Sequence, residues 1–172
     1  MGSSAWLRRA PAHWPPARSE AALAPDPLHG VLVLFGGRGG GGRGHELADT
    51  WLWNGADWAQ CSPAAAPAAR RLHAMTWDGS RQRVLLFGGR APSFLERDDT
   101  WEWDGATWTE RLPAHRPPGR TGTAMAWDSA RGRVVLFGGS CFQFGPCWRM
   151  DTWEWDGTDW TDVSPPYPAP TP

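Results

Sequence analysis

Residues 131–160 read RGRVVLFGGSCFQFGPCWRMDTWEWDGTDW, and they contain the pattern from which the fold is predicted. Residues 134–137 are a short apolar run that stops at Gly138-Gly139, which is typical of a β-strand followed by a turn. Residues 152–155 follow a loop and alternate Thr and Glu with Trp. The Asp156-Gly157 pair then indicates a hairpin turn, because these residue types tolerate positive φ. The stretch therefore predicts three β-strands.

The same pattern occurs twice more in the chain. It reads RVLLFGGR…DDTWEWDGATW within residues 83–108 and VLVLFGGR…ADTWLWNGADW within residues 31–58. An upstream segment is also repeated, as RLHAMTWDGSRQR (71–83), TGTAMAWDSARGR (121–133) and the diverged copy SEAALAPDPLHGV (19–31). Each unit thus supplies four short strands, which we call a, b, c and d. In the second unit they are predicted at 74–77, 84–87, 100–103 and 107–111.

Four antiparallel strands in each unit of about 50 residues predict the blades of a β-propeller. We expect an all-β fold of three four-stranded antiparallel blades about a common axis, at residues 15–62, 67–112 and 117–163, followed by a Pro-rich tail at 164–172. Residues 1–14 are interpreted as the outer strand and linker of a preceding blade. The reason is that SAWLRRAPAHWPPAR (4–18) aligns with ATWTERLPAHRPPGR (106–120), which places Trp6 in a strand d.

Three blades plus an orphan outer strand predict a partial or open propeller, because propellers close with about four to eight blades. Open sheet faces and strand edges favour association with other chains or blades. We therefore expect further blades, supplied by a longer chain or by a homo-oligomer. Light scattering on the purified chain should detect oligomers or aggregates.

The Gly-Gly after strand b, the Trp pair in strand c and the Trp in strand d resemble the kelch repeat. The resemblance is closest to the bacterial kelch-like type with DTWEWDG in strand c, and it covers roughly residues 6–163. The first unit departs most, since Asn54 replaces Asp, and Pro25 and Pro27 stand where the second unit has Thr76-Trp77-Asp78. The resemblance implies a non-catalytic kelch-type scaffold that binds protein or glycan ligands.

The kelch resemblance also brings in galactose oxidase, a copper enzyme built on this type of propeller. Its copper centre uses two Tyr and two His, with one Tyr linked to Cys. This chain has a single Tyr, Tyr167, in the Pro-rich tail. We therefore expect no enzymatic activity, no catalytic residue, no metal and no cofactor. The alternative is the propeller portion of a larger carbohydrate-active or oxidase-type enzyme.

Charge and hydropathy narrow the expected partners. The formal net charge of −1 gives no electrostatic case for binding nucleic acid. No apolar run approaches the roughly 20 residues needed to span a membrane. The first residues lack the apolar segment of a secretory signal, so secretion is not expected from them.

Tryptophan is unusually frequent, with 14 residues in the chain. Recurrence at the same position of every unit favours packing within and between blades over separate stacking sites. The expected core positions are Trp51, Trp53, Trp58, Trp101, Trp103, Trp108, Trp153, Trp155 and Trp160. Trp148 stands outside this pattern and should tolerate substitution. Glu102 and Glu154 occupy equivalent places in strand c, and we expect each to meet an Arg between blades, because a buried carboxylate needs a partner.

Three other motifs contain residue types that can bind ligands or metals. The stretch GGRGGGGRG (36–44) lacks the Lys of a phosphate-binding loop and is interpreted as an elongated b–c loop. Asp104-Gly105 and Asp156-Gly157 resemble the Asp-box of sialidase-type propellers, but that box has a residue between Asp and Gly, so both are interpreted as hairpin turns. Cys141 and Cys147 flank a short loop and are predicted either to form a disulfide or to be free thiols, since their number and spacing do not resemble a zinc site.

Strand order places the b–c and d–a connections on one face of the propeller and the short a–b and c–d turns on the other. The b–c loops at 38–48, 90–98 and 140–150 differ from unit to unit. Variable loops on a rigid scaffold carry recognition, so this face is the predicted binding face. Its candidate contact residues are Arg90, Phe94, Arg97, Phe142, Phe144, Trp148 and Arg149. The alternative is that some of these side chains fold inward and cap the blade ends.

Overall fold

The computed structural model describes residues 7–40, 45–142 and 147–166. These residues form sixteen β-strands and no helix, so they contain no helix capable of crossing a membrane. The strands are β1 (Arg18–Ser19), β2 (Ala22–Asp26), β3 (Val31–Phe35), β4 (Arg38–Gly39), β5 (Thr50–Trp53), β6 (Trp58–Cys61), β7 (Ala74–Asp78), β8 (Arg83–Phe87), β9 (Thr100–Trp103), β10 (Trp108–Arg111), β11 (Ala124–Asp128), β12 (Arg133–Phe137), β13 (Ser140–Cys141), β14 (Cys147–Trp148), β15 (Thr152–Trp155) and β16 (Trp160–Asp162).

Twelve of these strands form three four-stranded antiparallel sheets, ordered β2-β3-β5-β6, β7-β8-β9-β10 and β11-β12-β15-β16. The first strands of successive sheets, β2, β7 and β11, lie next to one another. The predicted fold class, an open all-β propeller-like arrangement of three four-stranded blades, is confirmed. Two short ribbons, β1-β4 and β13-β14, lie in the connections. The orphan strand predicted around Trp6 lies outside the described residues, and residues 7–14 form no strand.

The c–d hairpins have four-residue turns, because Trp103 pairs directly with Trp108. Only Gly105 adopts positive φ there, at +100°. The Asp104 carboxylate accepts the amide N–H groups of Ala106 and Thr107 at 2.9 and 2.8 Å. The two residues of the Asp-Gly pair thus have different roles. The Asp carboxylate accepts the turn amides, and the Gly adopts positive φ.

The inner strand pair of the first unit forms in spite of its prolines. Pro25 lies in β2 opposite Leu32 of β3. A proline is tolerated at this position because β2 is an edge strand of its own sheet, where a missing N–H costs no bond within that sheet. Asp26 closes the following turn by accepting the backbone N–H of His29 at 3.2 Å.

Each sheet has two chemically different faces. The indole face carries, in the second unit, Val84, Leu86, Trp103 and Trp108, whereas the phenyl face carries Leu85 and Phe87. Alternation along the strands produces this division, since successive side chains point to opposite faces. The phenyl faces of the first and second blades pack on the indole face of the blade that follows, which gives the edge-to-face ring pairs Phe35–Trp108 at 5.4 Å and Phe87–Trp160 at 5.5 Å.

The expected partners of the two strand-c glutamates are present but lie within the blade. Glu102 is 2% exposed and accepts Arg111 Nε at 2.7 Å, from the neighbouring strand of its own sheet. Glu154 pairs with Arg131, in the a–b turn of its own unit. The prediction that these pairs bridge blades is therefore wrong. The reason is that an Arg of the same blade is already within reach of each glutamate, Arg111 on the neighbouring strand and Arg131 in the a–b turn.

Candidate functional site

The b–c loops begin at the repeated Gly-Gly pairs, and the structure shows why glycine is needed there. Gly88 and Gly89 have φ of +68° and +95°. A Cβ atom on Gly89 would lie 2.8 Å from the backbone oxygen of Arg71. The Gly89 amide donates to the backbone oxygen of Arg120 at 2.9 Å, in the linker of the next unit. The start of each such loop is thus joined to the following blade.

An Arg–Asp clamp fixes the base of every b–c loop. In the second unit the Arg70 guanidinium donates to both carboxylate oxygens of Asp99, each at 2.7 Å, and to the backbone oxygen of Gly88 at 3.0 Å. The Trp101 indole N–H donates to the same carboxylate at 2.9 Å. The clamp recurs as Arg18–Asp49 with Trp51 and as Arg120–Asp151 with Trp153.

The electrostatics of the clamp favour the ionised carboxylate. Burial raises the pKa of Asp99, but the hydrogen bonds from Arg70 and Trp101 outweigh it and hold that pKa below its usual value. Bidentate pairing of a guanidinium with a carboxylate also sets a definite angle between the two chain segments. The loops therefore project from a rigid, charge-paired base.

Three of the predicted contact residues come together on the loop face. The Arg90 guanidinium lies over the Phe94 ring at 4.9 Å and over the Phe142 ring at 5.7 Å, which is within cation–π range. Phe94 and Phe142 are 61% and 44% exposed. The Phe142 amide donates to Glu96 at 3.1 Å, so two loops of neighbouring blades are joined here. We call Arg90, Phe94 and Phe142 the aromatic–arginine patch.

The other predicted contact residues lie in different surroundings. Trp148 is 79% exposed in β14. Arg97 and Arg149 are half-buried at equivalent loop positions, where their amides donate to Gly89 and Gly139 at 2.8 and 2.9 Å. Their guanidinium groups are thus partly withdrawn from the surface, as the inward-folding alternative expects. Phe144 lies outside the described residues.

A disulfide joins Cys141 and Cys147 in the loop of the third unit. The two residues are a directly opposed pair in the β13–β14 ribbon, with Cα atoms 5.1 Å apart. Of the two alternatives that the sequence leaves open, the structure has the disulfide. Cys61 is a free, half-buried cysteine in β6.

A cleft of about 560 Å³ adjoins the exposed Trp148. It is bounded on one side by the end of the third b–c loop and on the other by the segment that follows β16. Its lining is Trp148, Arg149, Met150, Asp151, Asp162, Ser164, Pro165 and Pro166. The cleft gives this side of the loop face a concave, partly apolar surface.

Four of the five histidines lie in linkers, turns or loops. His13 and His115, at equivalent linker positions, contact Asp57 and Asp159 at 2.8 and 2.7 Å. His29 pairs with Asp26 in an a–b turn at 2.8 Å. His45 is exposed at the end of the first b–c loop. The contacts of His13, His115 and His29 therefore hold turns and linkers in place.

His73 differs because it is buried, 6% exposed, between the first and second blades. Its ring meets Phe35 edge-on at 5.6 Å, and neither ring nitrogen has a hydrogen-bond partner among the described residues. Burial and the nearby charge of Arg70 lower the pKa of His73 from 6.5 to about 3. The folded protein therefore holds this imidazole neutral.

The buried His73 should make the protein acid-sensitive. The unfolded chain binds a proton below the usual His pKa of 6.5 and the folded chain does not until about pH 3. Between these values stability falls as the pH falls, by at most about 1.4 kcal/mol per pH unit. Urea unfolding at pH 5, 6 and 7 measures this slope. The third unit has Thr123 at this repeat position, so His73→Thr is the matched variant. It should reduce the dependence of stability on pH. The same pH dependence in both proteins would contradict the role given to His73.

Sequence reasoning missed the Arg–Asp clamp and the role of Arg90 as a bridge. A signal for the clamp was present, because Arg18, Arg70 and Arg120 recur at one repeat position and an Asp recurs two residues before each Trp pair. The Arg90 bridge has no repeat signal, since Arg90 and Phe142 belong to different units. No known protein-family model matches this sequence, and no curated protein is significantly similar to it.

Proposed function

We propose that this protein is a non-catalytic kelch-type propeller scaffold that recognises a protein ligand through its b–c loops and the adjoining d–a linkers. The observation that carries the proposal is the aromatic–arginine patch. Arg and aromatic side chains are the residue types that dominate binding energy at protein interfaces. Here two neighbouring blades place one Arg between two exposed phenyl rings.

The rest of the loop face supports the same function. The Arg–Asp clamps hold the loop bases and the disulfide joins Cys141 to Cys147, so these anchoring residues need no further ordering when a ligand binds. Trp148 adds an exposed indole beside the 560 Å³ cleft, where an apolar side chain of a partner would fit. Among the described residues, the opposite face carries the short a–b and c–d turns, which are similar from unit to unit, and the linker residues His13 and His115, which contact two of the c–d turns.

The proposal predicts loss of ligand capture when the exposed rings are removed. The triple variant Phe94→Ala, Phe142→Ala and Trp148→Ala should lose at least about a hundredfold in affinity, because interface anchors of this kind each contribute about 2 kcal/mol or more. The measurement is an unbiased pull-down with the immobilised intact protein, followed by titration of the recovered partner. Circular dichroism of the triple variant should match that of the unchanged protein.

The matched control changes three exposed residues of the opposite face, Ser80→Ala, Ser129→Ala and Thr158→Ala. This control should bind as tightly as the unchanged protein. Dependence of binding on these residues, or on the Asp104-Gly105 and Asp156-Gly157 turns, would place the site on the wrong face. Capture of a glycan from an array, lost in the same triple variant, would keep the binding face and reassign the ligand class.

A further inference from the structure

The two end blades each leave one face of the repeated interface uncovered by any described residue. Within the described chain, the phenyl faces of the first and second blades are covered by indole faces, but the phenyl face of the third blade is open. Phe137 on it is 52% exposed, whereas the equivalent Phe35 and Phe87 are fully buried at 0%. At both equivalent positions, an indole of the next blade covers the phenyl ring.

The indole face of the first blade is open in the complementary way. Trp53 and Trp58 are half-buried, whereas the equivalent Trp103 and Trp108 are 1% exposed. Leu23 in β2 is 49% exposed, whereas the equivalent Met75 is 9% exposed. The chain therefore presents both halves of its own blade–blade interface, one at each end of the row of blades.

The polar contacts between blades also recur at equivalent positions of the repeat. The Trp108 indole donates to Thr50 Oγ1 and the Trp160 indole donates to Thr100 Oγ1, both at 3.0 Å across blades. Thr152, opposite Phe137, occupies the position equivalent to Thr50 and Thr100, and Trp58 occupies the position equivalent to Trp108 and Trp160. Thr152 is half-buried, whereas Thr50 and Thr100 are both 1% exposed.

The backbone between blades shows the same periodicity. The amides of Gly37 and Gly89 donate to the backbone oxygens of Arg70 and Arg120, both at 2.9 Å. The third glycine amide at this repeat position is that of Gly139, and the third arginine carbonyl is that of Arg18. They lie at opposite ends of the described blades, as Trp58 and Thr152 do.

The turns on the other face add a further repeated contact. His29 of the first a–b turn packs against Gly105 of the second c–d turn, and Arg81 packs against Gly157 in the same way. At Gly55, the remaining c–d glycine, a Cβ atom would meet no other atom within 4 Å. Gly55 lies in the first blade, next to the open indole face. By the same pattern, the a–b turn of the third blade, next to the open phenyl face, would contact it.

We propose that two copies of this chain associate head to tail, each placing its first blade on the third blade of the other. Trp58 of one copy covers Phe137 and donates to Thr152 Oγ1 of the other, and Arg18 of one accepts from Gly139 of the other. Two copies make six blades, within the range of about four to eight in which propellers close, whereas three copies exceed it. A head-to-tail contact that closes gives a ring rather than a filament.

A second copy is the occupant that the observations favour, because the two open faces match each other position by position. An unrelated partner would match these faces equally well only if it supplied an indole, a carbonyl that accepts the Gly139 amide, and the turn contact together. The inference is independent of the loop-face binding function, since it rests on the strands and not on the aromatic–arginine patch.

Sedimentation velocity of the purified chain tests this proposal. The expected species has twice the 18.9 kDa chain mass. Phe137→Glu and, separately, Trp58→Glu should each raise the dissociation constant at least on the order of a hundredfold, because both contacts of the ring are lost together. Thr152→Val, which removes only the hydroxyl acceptor, should raise it roughly tenfold. The matched control Leu112→Glu, at an 83% exposed linker position, should remain dimeric.

A mixing experiment separates this head-to-tail contact from a symmetric one. Phe137→Glu and Trp58→Glu chains still hold one intact half-interface each, so an equimolar mixture should form a heterodimer through one contact while neither chain alone does. Near-UV circular dichroism checks that both variants are folded. A monomer at all concentrations, dimers insensitive to Trp58, assemblies that keep growing with concentration, or failure of the folded mixture to pair would each overturn the proposal.

Discussion

Replacement of Trp103 by alanine is expected to lower the free energy of unfolding by about 3–5 kcal/mol. Trp103 is 1% exposed and packs in the same core cluster as Phe35 of the first blade and Met75 of its own. Its ring lies 5.4 Å from that of Trp108. Removal of the indole therefore leaves a cavity bounded by two blades, which cannot collapse without moving both sheets.

Urea unfolding followed by far-UV circular dichroism measures this loss, with Trp148→Ala as the matched control. Trp148 has the same side chain but is 79% exposed, so its removal should change stability by no more than about 0.5 kcal/mol. Trp103→Phe should recover part of the loss, because an aromatic ring still fills most of the volume. Equal destabilisation by the two alanine substitutions would mean that the repeat position does not decide burial.

The second large effect is expected from the Arg–Asp clamp. Arg70→Met should cost about 3–5 kcal/mol, since it removes the partner of a largely buried carboxylate. The Arg70 side chain is 0% and the Asp99 side chain 15% exposed. The same change also leaves the backbone oxygen of Gly88 without its Arg70 donor. Equilibrium unfolding in urea at pH 7 is the measurement.

The chain supplies a matched control for the clamp in Arg116, which pairs with Asp98 at 3.2 Å. Both side chains are about half exposed, at 52% and 47%. Arg116→Ala should cost less than about 1 kcal/mol, because surface ion pairs contribute little. The double variant Arg70→Met with Asp99→Asn should lose less than the sum of its single changes, since no unpaired charge remains. Strict additivity would argue against a coupled clamp.

The clamp also has a defined acid dependence. The pKa of Asp99 is lowered in the folded protein, so its contribution to stability is complete above the ordinary carboxyl value of 3.8. That contribution is lost as the pH falls below 3.8 and through the folded pKa. Arg70→Met should therefore show a weaker loss of stability below about pH 4 than the unchanged protein. This window begins at 3.8 and overlaps only the lower end of the His73 range, which runs from 6.5 to about 3.

The predicted site was only partly accessible to sequence reasoning. The loops that differ between units were identifiable because they interrupt a repeat, and Phe94, Phe142 and Trp148 in them are exposed side chains. Arg97 and Arg149 could not be separated from Arg90 by residue type, although they are half-buried and Arg90 bridges two rings. The difference arises because Arg97 and Arg149 stand at the far ends of their loops, where their amides pair with Gly89 and Gly139, whereas the Arg90 side chain lies over Phe142 of the neighbouring blade.

The short ribbons β1-β4 and β13-β14 could not be predicted from the sequence alone, whereas the strands of the three sheets, their order and their turns could. These features depend on local physical chemistry: alternation of side chains along an extended chain, and glycine where the backbone takes positive φ. Which side chains pair with one another could be seen only in the folded protein. Asp99 meets Arg70 from 29 residues away, Glu102 stays within its blade, and Arg90 reaches Phe142 of the next one. Such pairs depend on how far apart two sheets pack and at what angle, which no single strand encodes.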